Sequence, residues 1–141
     1  MLRVVLDTNV LVAALRSRRG ASNAILRRVA ERELVPLATV ALFVEYEGVL
    51  KRPQLLALTG WDEATVDRFL DGMKAFVEPV TVNFSWRPQL KDPGDELVLE
   101  AAVNGGAAVL VTHNLRDFCP ACDRFGLSVM TPGALMRRMC S

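Results

Sequence analysis

Two kinds of apolar run alternate along this chain. Short stretches at Leu2–Leu6, Leu34–Ala38 and 107–111 read as strands buried on both faces, since a half-exposed strand would show apolar and polar residues in turn. Between them the apolar residues recur at helical spacing. A first helix is predicted over 10–15, and Ser17-Arg18-Arg19-Gly20 then forms a loop. Ser22 is placed as the N-cap of a helix carrying Ala24, Ile25, Leu26, Val29 and Ala30. A further helix spans 41–50 and is ended by Lys51-Arg52-Pro53, and another runs over 62–76 from the acidic pair Asp62-Glu63. Residues 77–82 form a short strand. The run Asp92-Pro93-Gly94-Asp95-Glu96, the apolar 97–103 and the pair Gly105-Gly106 mark both ends of another helix. A last strand at 127–130 and a helix at 132–139 complete the pattern.

Apolar strands that alternate with helices imply an α/β fold, a parallel sheet covered on both faces. No repeat or linker divides the chain, so residues 1–141 are expected to form a single domain. With 51% hydrophobic residues over 141 positions, the chain can bury a core of ordinary size. No apolar stretch reaches the roughly 18 residues that span a bilayer, and the N-terminus lacks the charged leader of a signal peptide. Three cysteines, an odd number, fit a reducing compartment better than a disulfide framework, so a cytoplasmic location is expected.

Seventeen basic residues nearly balance sixteen acidic ones, which argues against a strongly electrostatic binder of nucleic acid or membrane. The balance hides an asymmetry: basic residues dominate 1–52 and acidic residues dominate 53–141.

Four acids stand out by position. Asp7 follows the first strand, Glu45 lies in the helix after the second, Asp95 caps a helix, and Asp117 follows strand 107–111 by a few residues. In a doubly wound sheet the strand ends of one edge converge, so acids far apart in sequence meet in one crevice. Carboxylates repel one another, and a hard divalent cation such as Mg²⁺ or Mn²⁺ is the usual reason to gather them. Such a site aligns a water with a phosphodiester and stabilises the leaving oxygen. Each acid also has a plainer role. Asp7, Asp95 and Glu96 suit helix N-termini, and Asp117 suits a turn. Glu45 and Glu47 flank the stripe Leu42, Tyr46, Val49 and Leu50 equally, and periodicity does not choose between them.

Taken together, Asp7-Thr8-Asn9-Val10-Leu11, Glu45-Tyr46 with Val49-Leu50, Asp92-Pro93-Gly94-Asp95-Glu96 with Leu99 and Ala102, and Leu110-Val111-Thr112 with Asp117-Phe118 occur in the order and spacing of a PIN domain. The chain resembles that family over its whole length, and within it the toxin components of type II toxin-antitoxin systems, akin to VapC-type ribonucleases. The resemblance implies a three-layer α/β/α fold around a parallel sheet of four to five strands. It also implies a Mg²⁺- or Mn²⁺-dependent endonuclease of single-stranded RNA, dimeric and neutralised by a cognate antitoxin. Carried over by motif, the family's metal-binding acids fall on Asp7, Glu45 and Asp95. The fourth is where this chain departs: the family's Asp two residues after the strand-end Thr is Asn114 here, and Asp117 lies three residues further on. Asn is a poorer ligand for a hard cation, so either Asp117 completes the site or the site holds metal more weakly.

Other signals are weaker. Cys119-Pro120-Ala121-Cys122 reads as two incidental thiols in a loop, or as half a zinc site or a redox pair with His113 or Cys140 in reach. Arg16, Arg18 and Arg19, and again Arg137-Arg138, suit RNA phosphate or plain solvent. Trp61 and Trp86 are too isolated for a base-stacking platform. The rival reading is a PIN-like RNA-binding or interaction protein that has lost activity, which Asn114 favours. A phosphatase acting through an aspartyl-phosphate is disfavoured, because Asp7-Thr8-Asn9 lacks a second Asp two residues after the first.

Overall fold

The computed structural model describes residues 1–85 and 89–140; Trp86 lies outside them. The elements follow one another as β1 (Leu2–Leu6), α1 (Thr8–Arg16), α2 (Ala21–Ala30), β2 (Leu34–Ala38), α3 (Val40–Leu50), α4 (Pro53–Thr59), α5 (Glu63–Lys74), β3 (Glu78–Pro79), α6 (Pro93–Gly105), β4 (Val109–Val111), α7 (Leu115–Phe125), β5 (Ser128–Met130) and α8 (Pro132–Cys140). The five strands form one wholly parallel sheet in the order β3-β2-β1-β4-β5. Successive residues of a strand point to opposite faces. Val4, Val5 and Leu6 are nevertheless 0%, 0% and 1% exposed, so helices cover both faces, as the unbroken apolar runs require. The result is the three-layer α/β/α arrangement with the sheet as its middle layer.

The strand order reverses at β1. The chain leaves β1 toward β2 and β3 on one side, and β4 and β5 later pair on the other. The carboxyl ends of β1 and β4 therefore border the crevice at which doubly wound sheets place ligands. Among the described residues no helix is long and apolar enough to cross a membrane.

Several local expectations are corrected. The strand predicted over 77–82 shrinks to Glu78–Pro79. Because β3 reaches only Leu37 and Ala38, β2 is an edge strand at Pro36, where a missing N–H is tolerated. The N-cap of α2 is Gly20, not Ser22, which is buried and turns its hydroxyl to His113. The N-cap of α6 is Asp92, whose carboxylate accepts from the Gly94 amide at 2.7 Å, and Asp95 sits one turn inside. The C-x-x-C at 119–122, expected in a loop, lies on a helix, α7, with Cys122 buried. Asp62 does cap α5, accepting from Thr65 N at 2.8 Å, and Gly106 closes α6 at φ +62°, a conformation glycine adopts freely.

Candidate active site

Asp7 is the first residue after β1, and it is buried. Its amide donates to Val111 O at 2.9 Å, extending the β1–β4 ladder by one bond, and its Oδ2 accepts the Thr112 hydroxyl at 2.7 Å. The side chain makes no regular N-cap hydrogen bond to α1, although the Thr8 and Asn9 amides lie close enough to act on its charge. Burial raises the Asp7 pKa above the ordinary carboxylate value. The Thr112 hydroxyl and the neighbouring Thr8 and Asn9 amides counter this, and the charge of Asp92 adds to it. Tyr46 on α3 donates its phenolic O–H to Leu6 O, fixing α3 against the end of β1. Burial, with the nearby Asp7 charge, drives the Tyr46 pKa up and keeps that donor protonated.

With Tyr46 anchored, its neighbour Glu45 is carried over the start of α6. A Cβ at Gly94 would lie 3.0 Å from Glu45 Oε1 and 3.1 Å from Asp92 Oδ1, so glycine leaves the space in which these two carboxylates meet. Glu47 is exposed and turns to Lys51 instead, at 3.7 Å. Asp95 stands in the first turn of α6, where burial, then the charges of Asp7, Asp92, Asp117 and Glu96, push its pKa up to about 7. Asp117 stands exposed in the first turn of α7. Asp95 and Asp117 thus line one cleft together with Asp92, a residue not among the four acids singled out in the sequence. Asp7 acts on Asp95 through its charge, and Glu45 meets Asp92 over Gly94 at the start of α6. Pro at the first helical position after an Asx turn was the signal for Asp92.

One face of α6 carries a ladder of polar side chains four residues apart. Glu96 Oε1 accepts from the Gln89 and Leu90 amides, Glu100 Oε2 from Ser85 Oγ at 3.1 Å, and Asn104 Oδ1 from the Asn83 and Phe84 amides at 2.9 Å each. Glu96 and Glu100 are buried, and these bonds offset the cost of burying them. The ladder fixes residues 83–85 and the pair Gln89-Leu90, two residues before Asp92. Gln89 Oε1 in turn accepts from Arg124 on α7 at 2.9 Å. The resulting cleft, about 380 Å³, is lined by Asp92, Asp95 and Asp117 together with Lys91, Arg116 and Arg124.

The chemistry of this donor set suits a hard cation: it consists of carboxylate oxygens, and their mutual repulsion is already visible in the raised Asp95 pKa. Among the described residues no three His, Cys, Asp or Glu side chains form a ready cage for a metal ion. Mg²⁺ does not need one, since it keeps several waters and takes only one or two carboxylates directly. Away from the cleft, Trp61 packs on Phe69 with ring centroids 5.6 Å apart, and Arg16, Arg18 and Arg19 face solvent. Cys122 is pushed up to about 11, first by burial, which makes it a poor thiolate.

A family model described as PIN domain matches residues 3–116, a stretch that holds Asp7, Glu45, Asp95 and Asn114 and stops one residue short of Asp117. No curated protein matches the chain in sequence. Solved structures that share the fold include three VapBC structures. VapBC-1 of nontypeable Haemophilus influenzae matches with a TM-score of 0.62 at 16% identity, over 94% of this chain and 99% of that one. VapBC2 of Rickettsia felis, solved with a DNA fragment from its promoter, gives 0.59 at 17%, over 92% and 98%. DNA-bound VapBC of Salmonella typhimurium gives 0.58 at 18%, over 94% and 99%.

Proposed function

Because the chain belongs to the PIN domain family, we propose that it is a Mg²⁺- or Mn²⁺-dependent endonuclease of single-stranded RNA and the toxin of a type II toxin-antitoxin pair. The observation that supports this reading best is the grouping of carboxylates: Asp92, Asp95 and Asp117 line one cleft, Glu45 meets Asp92 over Gly94, and Asp95 is lifted to about 7 first by burial and then by the charges of Asp7, Asp92 and Asp117. In this reading Asp7, Glu45, Asp95 and Asp117 hold the cation. When bound, it supplies the positive charge and Lewis acidity that phosphodiester hydrolysis requires.

The chain's own groups do the rest. Thr112 orients the Asp7 carboxylate and favours its ionised form. Tyr46 and Gly94 set the position of Glu45. Arg116, Arg124 and Lys91 on the cleft wall supply charge of the sign a polynucleotide needs. The partners in this reading are the RNA, a second copy of the chain and a cognate antitoxin, the last supported by the VapBC structures that share the fold, and the site of action is the cytoplasm.

The test is cleavage of a single-stranded RNA with Mg²⁺, with EDTA, and with Asp7→Asn. Cleavage that survives either EDTA or the substitution rejects the shared-metal mechanism. A second reading, a PIN-like RNA-binding protein without activity, is favoured by Asn114, which puts a neutral amide where the family carries a carboxylate. RNA binding with no cleavage at any Mg²⁺ or Mn²⁺ concentration would establish it. Light scattering checks the dimer, and co-purification with the product of a short adjacent reading frame checks the antitoxin.

A further inference from the structure

Beside the acidic cleft lies a second cavity of about 400 Å³, lined by His113, Asn114, Leu115, Arg116, Asp117 and Thr131. Arg116 and Asp117 line both spaces, so they form the wall between them. The second cavity contains one of the acids of the cleft and is otherwise neutral or basic. Its volume falls in the range of about 300–1,000 Å³ that small organic ligands occupy.

The side chains around it are held but not used up. Asn114 is the N-cap of α7, yet its side-chain amide makes no capping bond. The helix start is instead tied by the Asn114 amide N–H to Thr112 Oγ1 at 3.0 Å, which leaves the carboxamide's donor and acceptor both available. His113 is fixed at Nε2 by the hydroxyl of the buried Ser22, at 3.0 Å, and by its backbone N–H to Asn9 Oδ1 at 3.4 Å. Its Nδ1 has no partner among the described residues. Leu115 adds an apolar surface, 36% exposed. Arg116 forms no salt bridge or hydrogen bond with a described residue, although acids line the cleft beside it. An oriented imidazole, an unspent carboxamide and an apolar floor are what a splayed-out nucleobase needs, and an Arg on the adjoining wall suits its phosphate.

We infer that this second cavity is a nucleobase subsite for the nucleotide flanking the scissile phosphate, read by Asn114 and His113, with Arg116 pairing with the phosphate between the two cavities. The inference rests on the ribonuclease reading and adds to it a source of sequence preference at one position. Ser22 is a positioning residue in this arrangement, since it acts through His113.

The test maps cut sites on a single-stranded RNA pool of random sequence for the wild type, His113→Ala, Asn114→Ala, Arg116→Ala and Arg116→Lys. The wild type should prefer one base by roughly fivefold or more at a position adjoining the cut. His113→Ala and Asn114→Ala should flatten that position while leaving the others unchanged. Arg116→Ala should raise KM for all sequences alike and lower the salt dependence by about one ion, and Arg116→Lys should restore most of it. A preference that persists in both base-contact variants overturns the subsite, as does an unchanged KM in Arg116→Ala. The same pool is also selected for binding in EDTA, so that a failure of the ribonuclease reading is told apart. If nothing is cut, base enrichment in the bound fraction that vanishes in His113→Ala and Asn114→Ala still upholds the subsite, and a bound fraction without enrichment rejects it.

Discussion

The Thr112 hydroxyl donates to Asp7 Oδ2 at 2.7 Å, across 105 positions of sequence, and so locks the strand-end carboxylate of β1 to the residue that follows β4. The bond stabilises the charged form of a buried acid. Thr112→Val keeps the shape and removes it. The Asp7 pKa then rises further, the Mg²⁺ concentration for half-maximal cleavage increases, and unfolding becomes easier by about 1–3 kcal/mol as a buried acceptor loses its partner. Asp7→Asn abolishes cleavage in a protein that stays folded. Metal titrations and denaturant melts of both variants check this, and a Thr112→Val protein with wild-type metal demand would separate the hydroxyl from the site.

Glu45 and Glu47 are two residues apart on α3 and have different fates. Glu45→Gln should cut activity severely, whereas Glu47→Gln should cost only its exposed pair with Lys51, within about 0.5 kcal/mol of stability and with no loss of rate. Gly94→Ala belongs to the same test, since its methyl would stand 3.0 Å from Glu45 Oε1 and displace it. Equal rates for the Glu45→Gln and Glu47→Gln proteins would remove Glu45 from the site.

Asp117 is the acid nearest the family's missing fourth carboxylate, and its charge is felt at Asp95. Asp117→Asn should raise the Mg²⁺ needed for half-maximal activity, and Asn114→Asp should lower it. Both effects should shrink at saturating metal. No shift with Asp117→Asn would reduce the site to Asp7, Glu45 and Asp95.

Asp95 carries a pH signature. Its folded pKa of about 7 lies above the ordinary 3.8, so the metal-free native state binds a proton that the unfolded chain does not. The group therefore destabilises the fold above pH 7 and ceases to do so as the pH falls from 7 toward 4. In EDTA the Tm should rise from pH 8 to pH 6. Asp95→Asn should remove that component and be the more stable protein at pH 8, at the expense of activity. Thermal melts across that range check it, and an Asp95→Asn protein less stable than the wild type at pH 8 would contradict the assigned repulsion.

Much of this arrangement was legible in the sequence because buried strands leave an unmistakable trace. The apolar runs at β1, β2 and β4 located the sheet, and their flanking polar residues located Asp7 and Thr112. What was not legible has physical causes. Helix α7 was hidden by Pro120 and by the charged residues Arg116, Asp117, Asp123 and Arg124, although Phe118, Ala121, Cys122 and Phe125 keep helical spacing on its inner face. Glu45 and Glu47 are equivalent on a helical wheel, and only the Tyr46 anchor and the space at Gly94 distinguish them in three dimensions. Ser22 resembled a cap because its real partner, His113, is 91 residues away.

The pairing of β1 with β4 also bears on when the molecule becomes active. Val111, which pairs with Asp7, and Thr112, whose hydroxyl orients it, are synthesised more than 100 residues after it. Contacts of such separation close late in folding. On the ribonuclease reading, the message being translated is spared until the segments carrying Asp7, Glu45, Asp95 and Thr112 have all emerged, and an antitoxin has that interval in which to be present.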